Sequence, residues 1–403
     1  MEFSTIFRRA YWILVTLGAV YVLGILALTF PIVQRNALYA HNVNPALWQN
    51  LSNVEQFGFL KHQVQPFTVA TDNATLYAWH ILPIQLYREH QEALESEEEI
   101  VPKPYLEAST GVGFQLLLSN PDAIVVVSFH GNAAHLASSY RPATYQQFLG
   151  LSTPEKPVHV IAFDYRGFGL STGTPTEQGV IDDALALLST ITGYDTSVLN
   201  TNSGSPLKAA RSGVDPSRII LVGQSMGTFV STALFHEWAV VRQLPAFRTL
   251  VLLASFTSLP RLLDCYSIKG LAPPMLSPLM TFPQAQRWVM SKIVDSWDTA
   301  RRLKELVETP GIDLDLAIMH AGDDWEIPWR EGYGNWKVVA KATNGTGVMT
   351  DNFDSLDRSA IASWTSDDKR KKVRWEKVAH GGHNRIPTSE QTRLVILNSI
   401  EKD

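Results

Sequence analysis

The chain has 403 residues, of which 45% are hydrophobic and 18% charged, with a net charge of −5. This is globular composition with ample material for a buried core, and its acidic balance gives no basis for nucleic-acid binding. The single cysteine, Cys265, excludes an intramolecular disulfide framework and a cysteine-built metal site.

The first element is a run of 23 uncharged residues from Tyr11 to Val33, preceded by Arg8 and Arg9. At about 1.5 Å per helical residue it is long enough to cross a hydrocarbon layer of about 30 Å. It lacks the short apolar core and small-residue cleavage site of a removed signal peptide, so it reads as a transmembrane signal anchor over 11–33. Two arginines stand before it and only Arg35 closely after it. The positive-inside tendency therefore places residues 1–10 in the cytosol and the remaining chain in a lumen or outside. The sequons at Asn50, Asn73 and Asn344 agree with that orientation.

A connector over 34–64 leads into a domain spanning 65–403. Thr68–Ala70 and Leu76–Leu82 read as a hairpin around Thr71–Asn73, and 86–112 as a charged surface insertion. Ala123–Phe129 and Val158–Phe163 are continuous apolar runs that suit strands covered on both faces. A helical stretch lies between them from Leu136 to Leu149, and another runs from Gly179 to Leu188. Residues 193–216 are a polar surface loop. Ile219–Val222 is a strand leading into Gly223-Gln224-Ser225-Met226-Gly227, followed by a helix to Val241 and a strand at Thr249–Ala254. Strand and helix alternate throughout, which predicts an α/β fold with a mostly parallel, doubly wound sheet. The proline-rich stretch 258–297 breaks the alternation and reads as a helical cap. Leu314–Met319 restores it, and an insertion at 341–370, a strand at Val373–Val378 and a closing helix over 387–401 complete the chain.

The chemistry collects at strand ends. Ser225 sits where a strand turns sharply into a helix, and Gly223 and Gly227 supply the close approach such a turn needs. A serine nucleophile requires a base, an acid to orient the base, and donors for the oxyanion. His130-Gly131-Asn132-Ala133 follows the first buried strand, and the amides of Asn132 and Met226 would form the oxyanion hole. Asp164 and Arg166, after the next strand, read as loop braces acting through a charge-assisted hydrogen bond. Asp323, Asp324 and Glu326 compete for the acid, and His380 and His383 for the base. No dinucleotide fingerprint is present, and no carboxylate-rich motif accompanies the two histidines, so neither a cofactor nor a metal is expected.

On His130-Gly131-Asn132-Ala133, Asp164 to Ser171, Gly223 to Gly227, Asp324-Trp325-Glu326-Ile327-Pro328 and Gly382-His383-Asn384, the chain resembles the α/β-hydrolase superfamily. Within it, the chain is similar to the membrane-anchored α/β-hydrolase-domain lipases acting on monoacylglycerols and lysophosphatidylserine. The resemblance covers roughly 65–400 and implies an α/β-hydrolase fold, Asp324 as the orienting acid and His383 as the base. It also implies a catalytic domain in the endoplasmic reticulum lumen. The expected activity is cleavage of carboxylic esters of monoacyl lipids through an acyl-enzyme on Ser225. A peptidase of the same fold and a non-catalytic adhesion or scaffold protein are the alternatives. Trp288, Met275, Met280 and Phe282 of the cap are candidates for an acyl channel, or for plain cap core.

Overall fold

Alternate residues of the run Ile124–Phe129 face two different hydrophobic cores. Val125, Val127 and Phe129 pack into one, Ile124 and Val126 into the other. A strand with period-two side chains can be apolar on both faces only where helices cover both, and this sets the layering of the whole domain. The computed structural model describes residues 2–43, 49–97, 101–196, 213–266, 277–343, 347–352 and 359–402.

The strands are β1 (Val64–Ala70), β2 (Thr75–Ile81), β3 (Lys103–Pro104), β4 (Ile124–Phe129), β5 (Val158–Phe163), β6 (Ile219–Gln224), β7 (Thr249–Leu253), β8 (Leu314–Ala321), β9 (Val348–Asn352), β10 (Ala360–Thr365) and β11 (Lys371–Val378). They form one 11-stranded sheet in the order β3-β1-β2-β5-β4-β6-β7-β8-β11-β10-β9. From β5 to β11 every neighbouring pair is parallel, and β1–β2 and β9–β10 add antiparallel flanks. This is the α/β-hydrolase fold.

Register places the site. Phe129 pairs with Gly223, Gln224 with Leu253, and Ala321 with Val378, so the C-terminal ends of β4, β6, β7, β8 and β11 emerge at one edge of the sheet. Parallel α/β sheets build their sites at that edge.

Two helices precede the domain. α1 spans Glu2–Ala27, and its stretch Thr5–Ala27 is long and apolar enough to cross a membrane. α2 spans Pro31–Tyr39. The apolar run Tyr11–Val33 is therefore two helices: Pro31 has no N–H to continue α1 and instead begins α2, where its fixed φ suits a first turn.

Elsewhere the sequence pattern differs from the fold in three places. The region 86–112 contains short helices and β3, and its Tyr87, Leu94 and Tyr105 are buried, so it is more than a charged surface insertion. The helix expected from Leu136 begins at Arg141, because the chain before it turns: the His135 amide donates to Ser138 Oγ and the Leu136 amide to Asp164 Oδ1. The insertion at 341–370 holds β9 and β10, which extend the sheet beyond β11. Most of the loop expected at 193–216 and the sequon at Asn344 lie outside the described residues.

Candidate active site

β6 runs directly into helix α3 (Met226–His236), and Ser225 between them adopts φ 53° and ψ −121°. A side chain there costs on the order of 1–3 kcal/mol of backbone strain. Surrounding contacts hold it: the Ser225 amide donates to Leu253 O at 2.9 Å, and Ser225 O accepts from Thr228 N at 2.9 Å. The two glycines are steric requirements. A Cβ at Gly227 would lie 2.0 Å from Phe129 O, and one at Gly223 would lie 2.4 Å from Gly227 O.

Gly131 passes against the serine, since a Cβ there would be 3.3 Å from the Ser225 Cβ. The loop continues through Ala133 and Ala134, both left-handed at φ 62° and 57°. Arg141, which the sequence motifs gave no reason to single out, clamps this loop. Its Nη2 donates to the carbonyls of Gly131, Asn132 and Ala133 at 3.1, 3.3 and 3.2 Å, and its Nη1 donates to His135 O at 2.5 Å. With these carbonyls turned to the buried guanidinium, the amides are left to the other side. Among the described residues, neither the Asn132 nor the Met226 backbone amide donates a hydrogen bond, and both residues border the cavity at Ser225.

His130 lies beneath, 3.3 Å from Asp164 Oδ1 and 4.5 Å from the Tyr165 ring. Asp164 and Arg166 do not pair with each other. Asp164 Oδ1 accepts from Leu136 N at 2.6 Å, and Arg166 forks onto the buried Asp183 at 2.7 and 3.0 Å.

The histidine and acid come from the other half of the sheet. His383 Nδ1 is 2.8 Å from Asp324 Oδ2, while Asp324 Oδ1 accepts the amides of Glu326 and Ile327 at 2.9 Å each. His320 Nε2 approaches the same Oδ2 at 3.3 Å and also bonds Ile327 O at 2.9 Å. Burial pushes the Asp324 carboxyl up, but its bonds to His320 and His383 outweigh this and hold it well below the usual carboxylate range. Burial pulls the His383 imidazole down, yet the bond and charge of Asp324 leave it above the ordinary histidine value. Gln224 ties this pair to the serine turn: its Nε2 donates to His383 O at 2.9 Å, and its Oε1 accepts from Tyr140 Oη at 2.8 Å.

The competing acid and base stand outside. Asp323 Oδ2 is 3.6 Å from His380 Nδ1 with both side chains exposed, and Asp323 Oδ1 accepts from Gly382 N at 2.7 Å. Cys265 has no thiolate character near neutrality, because burial and then the charge of Glu331 push its thiol up to about 12.

Above Ser225 lies a cavity of about 590 Å³. Its cap side is formed by Leu259, Leu262, Tyr266, Val289, Ile293 and Trp297. Trp288 and Phe282 are 47% and 64% exposed and do not line it, because helix α4 (Pro283–Met290) turns Val289 inward instead. Met275 and the side chain of Met280 lie outside the described residues.

A strained serine at a strand-to-helix turn, flanked by an amide-bearing loop and a histidine–carboxylate pair, on this sheet order, defines the class. The chain belongs to the α/β-hydrolase family, whose sequence pattern matches residues 124–395. It is similar to the lysophosphatidylserine lipase ABHD12 of Xenopus tropicalis, 25% identical over 344 residues that cover 83% of this chain and 74% of that one. The lysophosphatidylserine lipase ABHD12 of Danio rerio is 25% identical over 346 residues, covering 85% and 76%. A crystal structure of an α/β hydrolase from Vibrio vulnificus shares the fold, with a TM-score of 0.54 at 14% identity over 92% of this chain and 94% of that one.

Proposed function

We propose that the protein is a membrane-anchored serine hydrolase that cleaves carboxylic esters of monoacyl lipids, a lysophospholipid or a monoacylglycerol. The observation that carries this reading is the opening of Ser225 and the two amides into a large cavity with apolar walls. Its volume falls within the range of about 300–1,000 Å³ usual for small-molecule sites. The similarity to lysophosphatidylserine lipases supports the substrate class.

In this reading His383 Nε2 takes the Ser225 hydroxyl proton as Oγ attacks the ester carbonyl. Asp324 fixes the proton on Nδ1 and stabilises the imidazolium. The Asn132 and Met226 amides hold the tetrahedral oxyanion, each worth about 2.7–4 kcal/mol by the usual cost of losing one donor. As the carbon–oxygen bond breaks, His383 returns the proton to the departing glycerol oxygen, leaving an acyl ester on Ser225. Water then attacks that ester, gives a proton to His383, and His383 passes it to the Ser225 oxygen as the acyl bond breaks and the fatty acid leaves.

The anchor is α1, with the N-terminal residues cytosolic and the domain in the endoplasmic reticulum lumen. Asn50 and Asn73 are exposed, as lumenal glycosylation requires. Purified full-length protein in mixed micelles is expected to hydrolyse lysophosphatidylserine or monoacylglycerol, with Ser225→Ala inactive. Turnover of aminoacyl-proline substrates alone would assign it to the peptidases of this fold instead. No mobility shift on glycosidase treatment would count against the lumenal orientation.

A further inference from the structure

The cavity at Ser225 is not closed by the hydrolase domain alone. Tyr21 and Ile25 near the end of α1, and Leu28 in the turn that continues it, form part of its wall, and Gln34, Ala37 and Leu38 of α2 continue it. Positions 21, 25 and 28 follow the i, i+4, i+7 spacing of one helix stripe. The burial agrees: Ile25 is 7% exposed, whereas Val22 and Leu23 on the outer side are 53% and 65% exposed. One face of an apolar, membrane-crossing helix therefore borders the catalytic serine's pocket, and the other face is left for lipid.

α2 is fixed to both sides of the site. Towards the cap, Gln34 Nε2 donates to Lys292 O at 3.1 Å, Val294 N donates to Gln34 Oε1 at 2.8 Å, and Tyr39 Oη donates to Asp295 Oδ2 at 2.9 Å. Towards the oxyanion loop, Ala133 N donates to Tyr39 O at 3.1 Å, Ala134 N to Val43 O at 3.0 Å, and Asn132 Nδ2 to Leu38 O at 3.3 Å. Ala133 and Ala134 are the two left-handed residues of that loop, so their strained backbone is held by the chain that leaves the membrane. At the α1–α2 turn Phe30 and Ile32 are 64% and 77% exposed, as suits a segment lying in the membrane interface.

Resting on the hydrolase reading above, we propose that the anchor is a substrate-binding element: the acyl chain of a monoacyl lipid passes from the bilayer leaflet along Tyr21, Ile25 and Leu28 to Ser225. The lipid then never crosses water. The last two turns of α1 set which acyl chains fit, and α2 couples the docked anchor to the oxyanion loop.

The test compares full-length variants in nanodiscs on short-chain and long-chain p-nitrophenyl esters, with fluorophosphonate labelling of Ser225 followed in parallel. Ile25→Trp keeps the helix apolar but fills the wall, and the long-to-short ratio of kcat/KM is expected to fall at least ~10-fold, the scale at which pockets discriminate methylenes. Ile25→Ala, which widens the same wall, shifts the ratio towards longer chains. Leu23→Trp, on the lipid-facing side, leaves it unchanged. A ratio in Ile25→Trp equal to that of Leu23→Trp, or an equal fall for all chain lengths, overturns the proposal. An unlabelled wild type would instead remove the hydrolase reading itself. Should Ile25→Trp fail to label, the Ile25→Ala shift decides: a ratio unchanged from wild type overturns the proposal.

Discussion

His383 Nδ1 sits 2.8 Å from Asp324 Oδ2, and the second oxygen of that carboxylate is occupied by the amides of Glu326 and Ile327. The carboxylate is thus fixed before it touches His383, and its Oδ2 is shared between His383 and the buried His320 at 3.3 Å. Replacing Asp324 with Asn keeps the shape and removes the charge. Steady-state kinetics are expected to show kcat reduced by about 10⁴-fold, because the imidazole loses its required tautomer.

The pH profile follows from the same pair. In the proposed mechanism catalysis needs neutral His383, and Asp324 holds that imidazole above its ordinary value, so the neutral form appears only at higher pH. The acidic limb of kcat/KM should therefore have its midpoint above about 6.5, the unperturbed histidine value. In Asp324→Asn the opposing burial is left unbalanced, and the limb should move to lower pH. A wild-type midpoint below the ordinary value would contradict this assignment of the base.

In the proposed mechanism Arg141 positions the loop that carries the Asn132 backbone amide. Arg141→Lys cannot reach three carbonyls at once, so the carbonyls of Gly131, Asn132 and Ala133 lose their shared anchor while the alanine amides keep theirs on Tyr39 and Val43. kcat is expected to fall by about 10²-fold, the scale of one displaced oxyanion donor, with KM little changed. A kcat that returns to the wild-type value once corrected for the fraction labelled by a fluorophosphonate probe would show a purely structural role.

Gly227→Ala places a methyl group 2.0 Å from Phe129 O, where neither backbone is free to move. Thermal denaturation should register a loss of more than about 4 kcal/mol, in the exceptional range for a single substitution.

Tyr39→Phe leaves the buried Asp295 oxygen and the Trp297 indole without the hydroxyl that joins them at 2.9 and 3.2 Å. Unfolding in detergent should show a loss of about 1–3 kcal/mol for the unsatisfied groups.

Much of this architecture is legible in the sequence, because its cause is local. The apolar runs of β4, β5 and β6, and the glycines flanking Ser225, follow from burial and steric need within a few residues. Asp324 and His383 are legible as types at strand ends, but their selection over Asp323 and His380 depends on which neighbour points inward. That is a property of the packed loop, where Gly382 N takes Asp323 and leaves Asp324 beneath. Arg141 and Tyr39 carry no motif. Arg141 acts through carbonyls of a loop eight to ten residues earlier, and Tyr39 through Asp295 and the backbone of Ala133, far away in the chain. The run Tyr11–Val33 reads as one span, and neither its division at Pro31 nor the docking of α1 against the Ser225 cavity follows from that pattern, because an apolar helix reads the same whether it meets lipid or protein.

The central claim is that Ser225 is the nucleophile of a hydrolase. Wild-type protein treated with a fluorophosphonate probe and mapped by peptide mass spectrometry should carry the adduct on Ser225 alone, at a rate that collapses in Asp324→Asn. An unlabelled wild type, or equal labelling of Ser225→Ala, would contradict it.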